Sequence, residues 1–172
     1  MSIQDLGAVG ELLAAVATLV TLIYLAAQIR QNTIALRNGS RLDTRRALTD
    51  WYSLVMSDQE LMRVWNRVFV ENAELSLEER TRFVWMMSAL TSRIEEIHSQ
   101  YLSGLIDTKL WLQYRGVMAG FLQNHVVKEW WDSGATVFSE DFRSAVDSVP
   151  ANEASWSGAK VKAAMEGSRG DA

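Results

Sequence analysis

The chain contains no cysteine, only one proline (Pro150) and only two histidines among its 172 residues. The absence of cysteine excludes disulfides, thiol nucleophiles and Cys-ligated metal sites, and it is typical of proteins in a reducing compartment. With a single proline, helices can run for long distances without interruption. The net charge of −4 gives no overall basic character, so nucleic acid is not an expected partner.

Charge is also missing from one long stretch near the start of the chain, between Leu12 and Ile29. The segment from Leu6 to Ile29 has 24 residues and one acid, Glu11. As a helix it would be about 36 Å long, more than the roughly 30 Å hydrocarbon core of a bilayer. No Lys or Arg precedes it, unlike in a secretory signal peptide, so we expect an uncleaved transmembrane helix. A buried helix of a soluble protein is the alternative.

Basic residues follow this segment but do not precede it: Arg30, Arg37, Arg41, Arg45 and Arg46. Basic flanks remain on the cytoplasmic side of a membrane. We therefore expect a single-pass protein with its N-terminus outside and its C-terminal domain in the cytoplasm. The same arginines are expected to contact anionic lipid headgroups.

The small and polar residues of the segment recur at alternating spacings of four and three, which place them on one helical face. We call this face the seam; it consists of Gly7, Glu11, Ala14, Thr18, Thr21, Leu25, Gln28 and Asn32. In a bilayer, small residues let helices approach closely and polar residues hydrogen-bond between helices. The pattern predicts self-association through the seam. The alternative is that Glu11 reaches the outer interface and the threonines are simply tolerated.

Beyond the segment, apolar periodicity predicts an all-α protein in which a cytoplasmic helical bundle follows the transmembrane helix. The expected divisions are residues 1–38 (transmembrane helix and its extension), 39–149 (helical domain) and 150–172 (tail, with a short helix around 153–166). Asn38-Gly39-Ser40 is a turn signal. Capping-box patterns at Ser57 and Ser76 predict helix starts. Helices from Ser76 to about Ser103 and from Asp107 to about Asp132 are expected to form a long antiparallel hairpin.

Few residues of the sequence are arranged in a pattern that indicates a catalytic or metal-binding site. Glu95 and His98 form an E-x-x-H pair, but a di-iron carboxylate site needs two such pairs, so solvated helix charge is the favoured interpretation. His125 is expected on the inward face of its helix, where it can pair with Glu129. No catalytic residue, metal or cofactor is expected. A metal enzyme using Glu95 and His98 is the minor alternative.

Two stretches resemble a family of uncharacterised bacterial proteins with a single membrane anchor: Ile23–Thr33 after the apolar run, and Trp130-Trp131 followed by Phe138-Ser139-Glu140-Asp141-Phe142. The resemblance implies a bacterial source, hence the inner membrane, and an N-terminal anchor. It implies no activity and no site residue.

These features lead to two functional hypotheses. The first is a non-enzymatic homo-oligomeric membrane protein whose helices associate through the seam. In its most specific form the seam lines a narrow cation-permeable pore with an acidic ring at Glu11 and a constriction at Leu25. The second is a membrane-tethered adaptor or accessory subunit whose cytoplasmic domain binds a protein partner.

Overall fold

The computed structural model describes residues 3–134 and 137–154, and this part of the chain is all-helical, without strands. Its six α-helices are α1 (Ile3–Ser57), α2 (Gln59–Asn66), α3 (Leu77–Leu102), α4 (Thr108–Phe121), α5 (His125–Gly134) and α6 (Glu140–Asp147). A π-helical turn, Arg67–Glu71, follows α2, and a 3-10 turn occupies Ala151–Glu153. The all-α prediction is confirmed. Most of the predicted tail, including the short helix around 153–166, lies outside the described residues.

The predicted turn at Asn38-Gly39-Ser40 is wrong, because α1 continues without a break through these residues. A glycine inside a helix costs only about 1 kcal/mol, which the neighbouring helix-forming residues offset. By its internal contacts the chain nevertheless divides near this point into an N-terminal unit ending at Gly39 and a C-terminal unit beginning at Ser40.

Helix starts in the C-terminal unit are set by side-chain caps. At α3 the predicted capping box is confirmed: the Ser76 hydroxyl accepts from the Glu79 amide, and the Glu79 carboxylate accepts from the Ser76 amide. At α2 the predicted cap is displaced by one residue. Asp58, not Ser57, accepts hydrogen bonds from the first turn, while Ser57 is the last residue of α1.

The predicted single helix from Asp107 to about Asp132 is also wrong, because α4 ends at Phe121 and α5 begins at His125. Asn124 explains the interruption. Its side-chain oxygen accepts from the Val126 amide at 2.9 Å, and its amide nitrogen donates to the Val68 carbonyl oxygen at 2.8 Å. Asn124 thus caps α5 and joins it to the π-helical turn.

The core of the C-terminal unit combines the inner faces of all six helices. The face of α3 that enters this core includes Phe83, Met87, Leu90, Ile94 and Ile97, which recur at helical spacing. Polar contacts fix α3 against the last turns of α1. The Trp51 indole donates to the Met86 carbonyl at 3.2 Å, and the Arg93 guanidinium donates to the Ala47 carbonyl at 3.0 Å.

Candidate functional site

The seam lies entirely on the exposed surface of α1 in the N-terminal unit. A Cβ atom built on Gly7 meets no atom within 4 Å, so the small residue leaves open space. Leu25 in the seam is 48% exposed, while Leu13 and Ile23, outside the seam, are 64% and 62% exposed. The single chain therefore leaves both the seam and the other apolar faces of this helix uncovered.

The seam threonines use their hydroxyl hydrogens within α1. Thr18 donates to the Ala14 carbonyl at 2.9 Å and Thr21 to the Ala17 carbonyl at 2.8 Å. This i to i−4 bonding satisfies each hydroxyl donor without a second helix. The Gln28 amide likewise donates to the Tyr24 hydroxyl at 2.8 Å. The hydroxyl donors of Thr18 and Thr21 therefore do not require an acceptor on a second helix.

The arginines that follow the apolar segment differ in their surroundings. Arg30 and Arg37 are exposed on α1. Arg41 forms an ion pair with Asp107, the residue that caps α4. Within the C-terminal unit, Arg41 is thus held by a carboxylate, and Arg46 lies 3.9 Å from the Asp43 carboxylate.

A second feature is a cavity of about 360 Å³ between α3 and the start of α6, which we call the His98 cavity. Its lining residues are Ser92, Glu95, Glu96, His98, Ser99, Leu102, Ser139 and Asp141. The lining contains three carboxylates and no lysine or arginine. The cavity therefore has a local excess of negative charge.

His98 is the most buried polar residue of this lining, with 6% of its surface exposed. Its ring packs on Trp111, with 4.6 Å between ring centroids, and lies 5.8 Å from Phe142. Burial lowers the pKa of His98, against the opposing effect of the Asp141 and Glu95 carboxylates. The imidazole is therefore held mainly in its neutral form at pH 7.

Glu95 positions α6 relative to α3. Its carboxylate accepts a hydrogen bond of 2.7 Å from the backbone amide of Ser139, the residue that precedes α6. The interpretation of Glu95 as solvated helix charge is therefore incomplete, because the side chain is half-buried and joins two helices. Sequence reasoning placed Glu95 and His98 on one helix but could not identify Ser139 and Asp141 as their neighbours.

The expectation for His125 is wrong. This residue begins α5 and is exposed, and Glu129 forms an ion pair with Arg80 at 3.5 Å rather than with His125. Among the residues that the structure describes, no group of three or more His, Asp or Glu side chains is arranged to hold a metal ion.

Comparison of the chain with protein-family models, with curated proteins and with solved structures finds no match.

Proposed function

We propose that this chain is a single-span membrane protein whose α1 crosses the bilayer between Leu6 and Ile29. The supporting observation is that α1 is the one described helix long and apolar enough to span a membrane, and that its most apolar stretch has no buried residue within the chain. A continuous exposed surface of leucine, isoleucine and valine is strongly disfavoured in water. Lipid chains cover such a surface without requiring specific partners.

The proposed orientation places the C-terminal unit in the cytoplasm of a bacterial cell, with the N-terminus outside the inner membrane. Arg30 and Arg37 support it, since they are exposed and directly follow the apolar segment. The chain has no native cysteine, so a single cysteine at Ser103 provides a clean probe. A membrane-impermeant maleimide should label it only after the membrane is opened. Labelling in intact cells would show that the C-terminal unit lies outside the membrane, opposite to the proposed orientation.

We further propose that α1 associates with copies of itself through the seam. Gly7 and Ala14 allow a second helix to approach closely, and Glu11 is costly in a lone helix unless it meets polar groups or water. Because Thr18 and Thr21 are satisfied within α1, the association relies on packing rather than on a continuous ladder of hydrogen bonds between helices. The proposed role of the protein is assembly, and no catalytic residue is assigned.

Single-cysteine crosslinking in membranes tests this interface. Ala14→Cys and Leu25→Cys should form disulfide-linked dimers under mild oxidation, because seam positions face each other in the oligomer. Leu13→Cys and Ile23→Cys are matched controls at similar depth on other faces of α1, and they should remain monomeric. Equal crosslinking on both faces, or none at the seam, would refute the proposed interface.

The most specific form of the proposal is a pore in which Glu11 residues form an acidic ring and Leu25 residues form the constriction. Acidic rings favour cations. In planar bilayers, Glu11→Gln should abolish the preference for cations over anions while leaving the oligomer intact. If an oligomer that crosslinks through the seam shows no conductance, the pore is excluded. The remaining proposal is then an oligomer whose helices pack together without a water-filled channel.

A membrane-tethered adaptor is the second candidate, and exposed apolar side chains of the C-terminal unit favour it. Trp85 on α3 is 72% exposed, and Met56 at the end of α1 is 73% exposed. Exposed tryptophan is frequently a contact residue in protein interfaces. Replacing residues 6–29 with an unrelated membrane helix distinguishes the candidates: an adaptor should retain its cellular function, whereas an assembly built on the seam should lose it.

A further inference from the structure

The His98 cavity combines an acidic lining with a nearly buried imidazole. In the described part of the chain, no hydrogen bond reaches the imidazole nitrogens of His98, although 94% of the residue's surface is buried, as its 6% exposure shows. These nitrogens are not among the buried side-chain atoms that lack a partner, so they remain in contact with the cavity. A ligand in the cavity can therefore hydrogen-bond to the imidazole.

The charges of the lining define the chemistry of that ligand. Glu95, Glu96 and Asp141 form no ion pair with a lysine or arginine among the residues that the structure describes. One oxygen of Glu95 is used by the Ser139 amide, and one oxygen of Glu96 accepts from the Gln100 side chain at 3.0 Å. The remaining carboxylate oxygens are free to accept hydrogen bonds from a cation.

The volume of the cavity, about 360 Å³, lies at the lower end of the range for small-molecule sites. The three serines of its lining, Ser92, Ser99 and Ser139, can accept or donate further hydrogen bonds. A cavity of this size, lined by carboxylate, hydroxyl and imidazole groups, fits a small organic cation.

We propose that the His98 cavity binds a small organic cation carrying primary ammonium groups. The Asp141 and Glu95 carboxylates accept from one ammonium group, and the neutral imidazole of His98 accepts a further hydrogen bond from it. Leu102 contacts the alkyl part of the ligand. This site lies within the C-terminal unit, so its existence does not depend on how α1 associates.

The test is a titration of the full-length chain, in lipid nanodiscs, with 1,4-diaminobutane at constant ionic strength. The chain has only two histidines, so isotope labelling of histidine gives an internal control. The NMR resonances of His98 should change saturably with diamine concentration, while those of the exposed His125 should not. The uncharged analogue 1,4-butanediol should leave both resonances unchanged.

Two matched variants complete the experiment. Asp141→Asn should weaken binding by about tenfold or more, because it removes one charge from the site. Glu140→Gln removes the same charge from the adjacent exposed residue, which does not line the cavity, and should leave the affinity unchanged. Absence of a saturable change up to about 10 mM diamine, equal responses of both histidines, or equal effects of the two variants would overturn the proposal.

Discussion

Removal of the Asp147 carboxylate should destabilise the C-terminal unit through a single buried indole. Trp131 on α5 is completely buried, and its indole nitrogen donates to an Asp147 carboxylate oxygen at 2.9 Å. Asp147→Ala leaves this N–H without its acceptor, which costs about 1–3 kcal/mol. Asp147 is also the last residue of α6, where a negative charge is unfavourable by about 0.3–1 kcal/mol. The desolvated indole is the larger effect, so the net loss should be about 1–2 kcal/mol.

Asp147→Asn is the matched control for this prediction. Its amide oxygen can still accept from the Trp131 indole, and the unfavourable charge at the end of α6 is gone. Its cost should therefore remain below about 0.5 kcal/mol. On a Trp131→Phe background the indole donor is absent, and Asp147→Ala should then cost little as well.

Urea unfolding of the full-length chain in detergent micelles, followed by far-ultraviolet circular dichroism, measures these free energies. The reasoning is refuted if the alanine and asparagine variants are equally stable. It is also refuted if Asp147→Ala costs the same with and without the Trp131 indole, because the loss would then not arise from this hydrogen bond.

Other substitutions test the packing, the backbone and the titration of the same unit. Because burial lowers the pKa of His98, the unfolded chain binds a proton more readily than the folded chain just below pH 6.5. Stability should therefore decrease as the pH falls through this range, and His98→Gln should reduce that dependence in urea unfolding; an unchanged dependence would contradict the burial of His98. Met87→Ala should cost about 2–5 kcal/mol in the same assay, since Met87 is fully buried in the core, and a loss below about 1 kcal/mol would contradict that placement. Gly104→Ala should lower the melting temperature, because Gly104 has φ +71° and alanine is strained by about 1–2 kcal/mol there, whereas Gly39→Ala should raise it by favouring helix at an open position.

Features that depend on residues close together in the chain could be predicted from the sequence. The capping box at Ser76 involves residues three apart, and the apolar face of α3 follows from periodicity alone. The interruption after Phe121 could not be predicted in this way, because it depends on the bond from Asn124 to Val68, 56 residues away. Local signals can also mislead: the Asn38-Gly39-Ser40 pattern favours a turn, but the helix continues through it.

The same distinction applies to the candidate sites. The seam could be identified because all its members occupy one helix at regular spacing. The His98 cavity could not, because Glu95 meets Ser139 only when α6 packs against α3, a pairing across 44 residues. The E-x-x-H spacing singled out Glu95 and His98 but gave no indication of the surface opposite them.

The π-helical turn at Arg67–Glu71 has a consequence for how the length of this chain can vary. A π turn contains about one residue more than an α-helical turn, and this one ends at Asn72 in the left-handed conformation with φ 53°. A deletion here can convert the wide turn into an ordinary one, while α2 before it and α3 after it retain their buried faces. We therefore expect the loss of one residue from this turn to destabilise the fold less than the loss of one residue from the middle of α3, where every later side chain would rotate by about 100°. Gain or loss of single residues between related chains should accordingly concentrate at this turn.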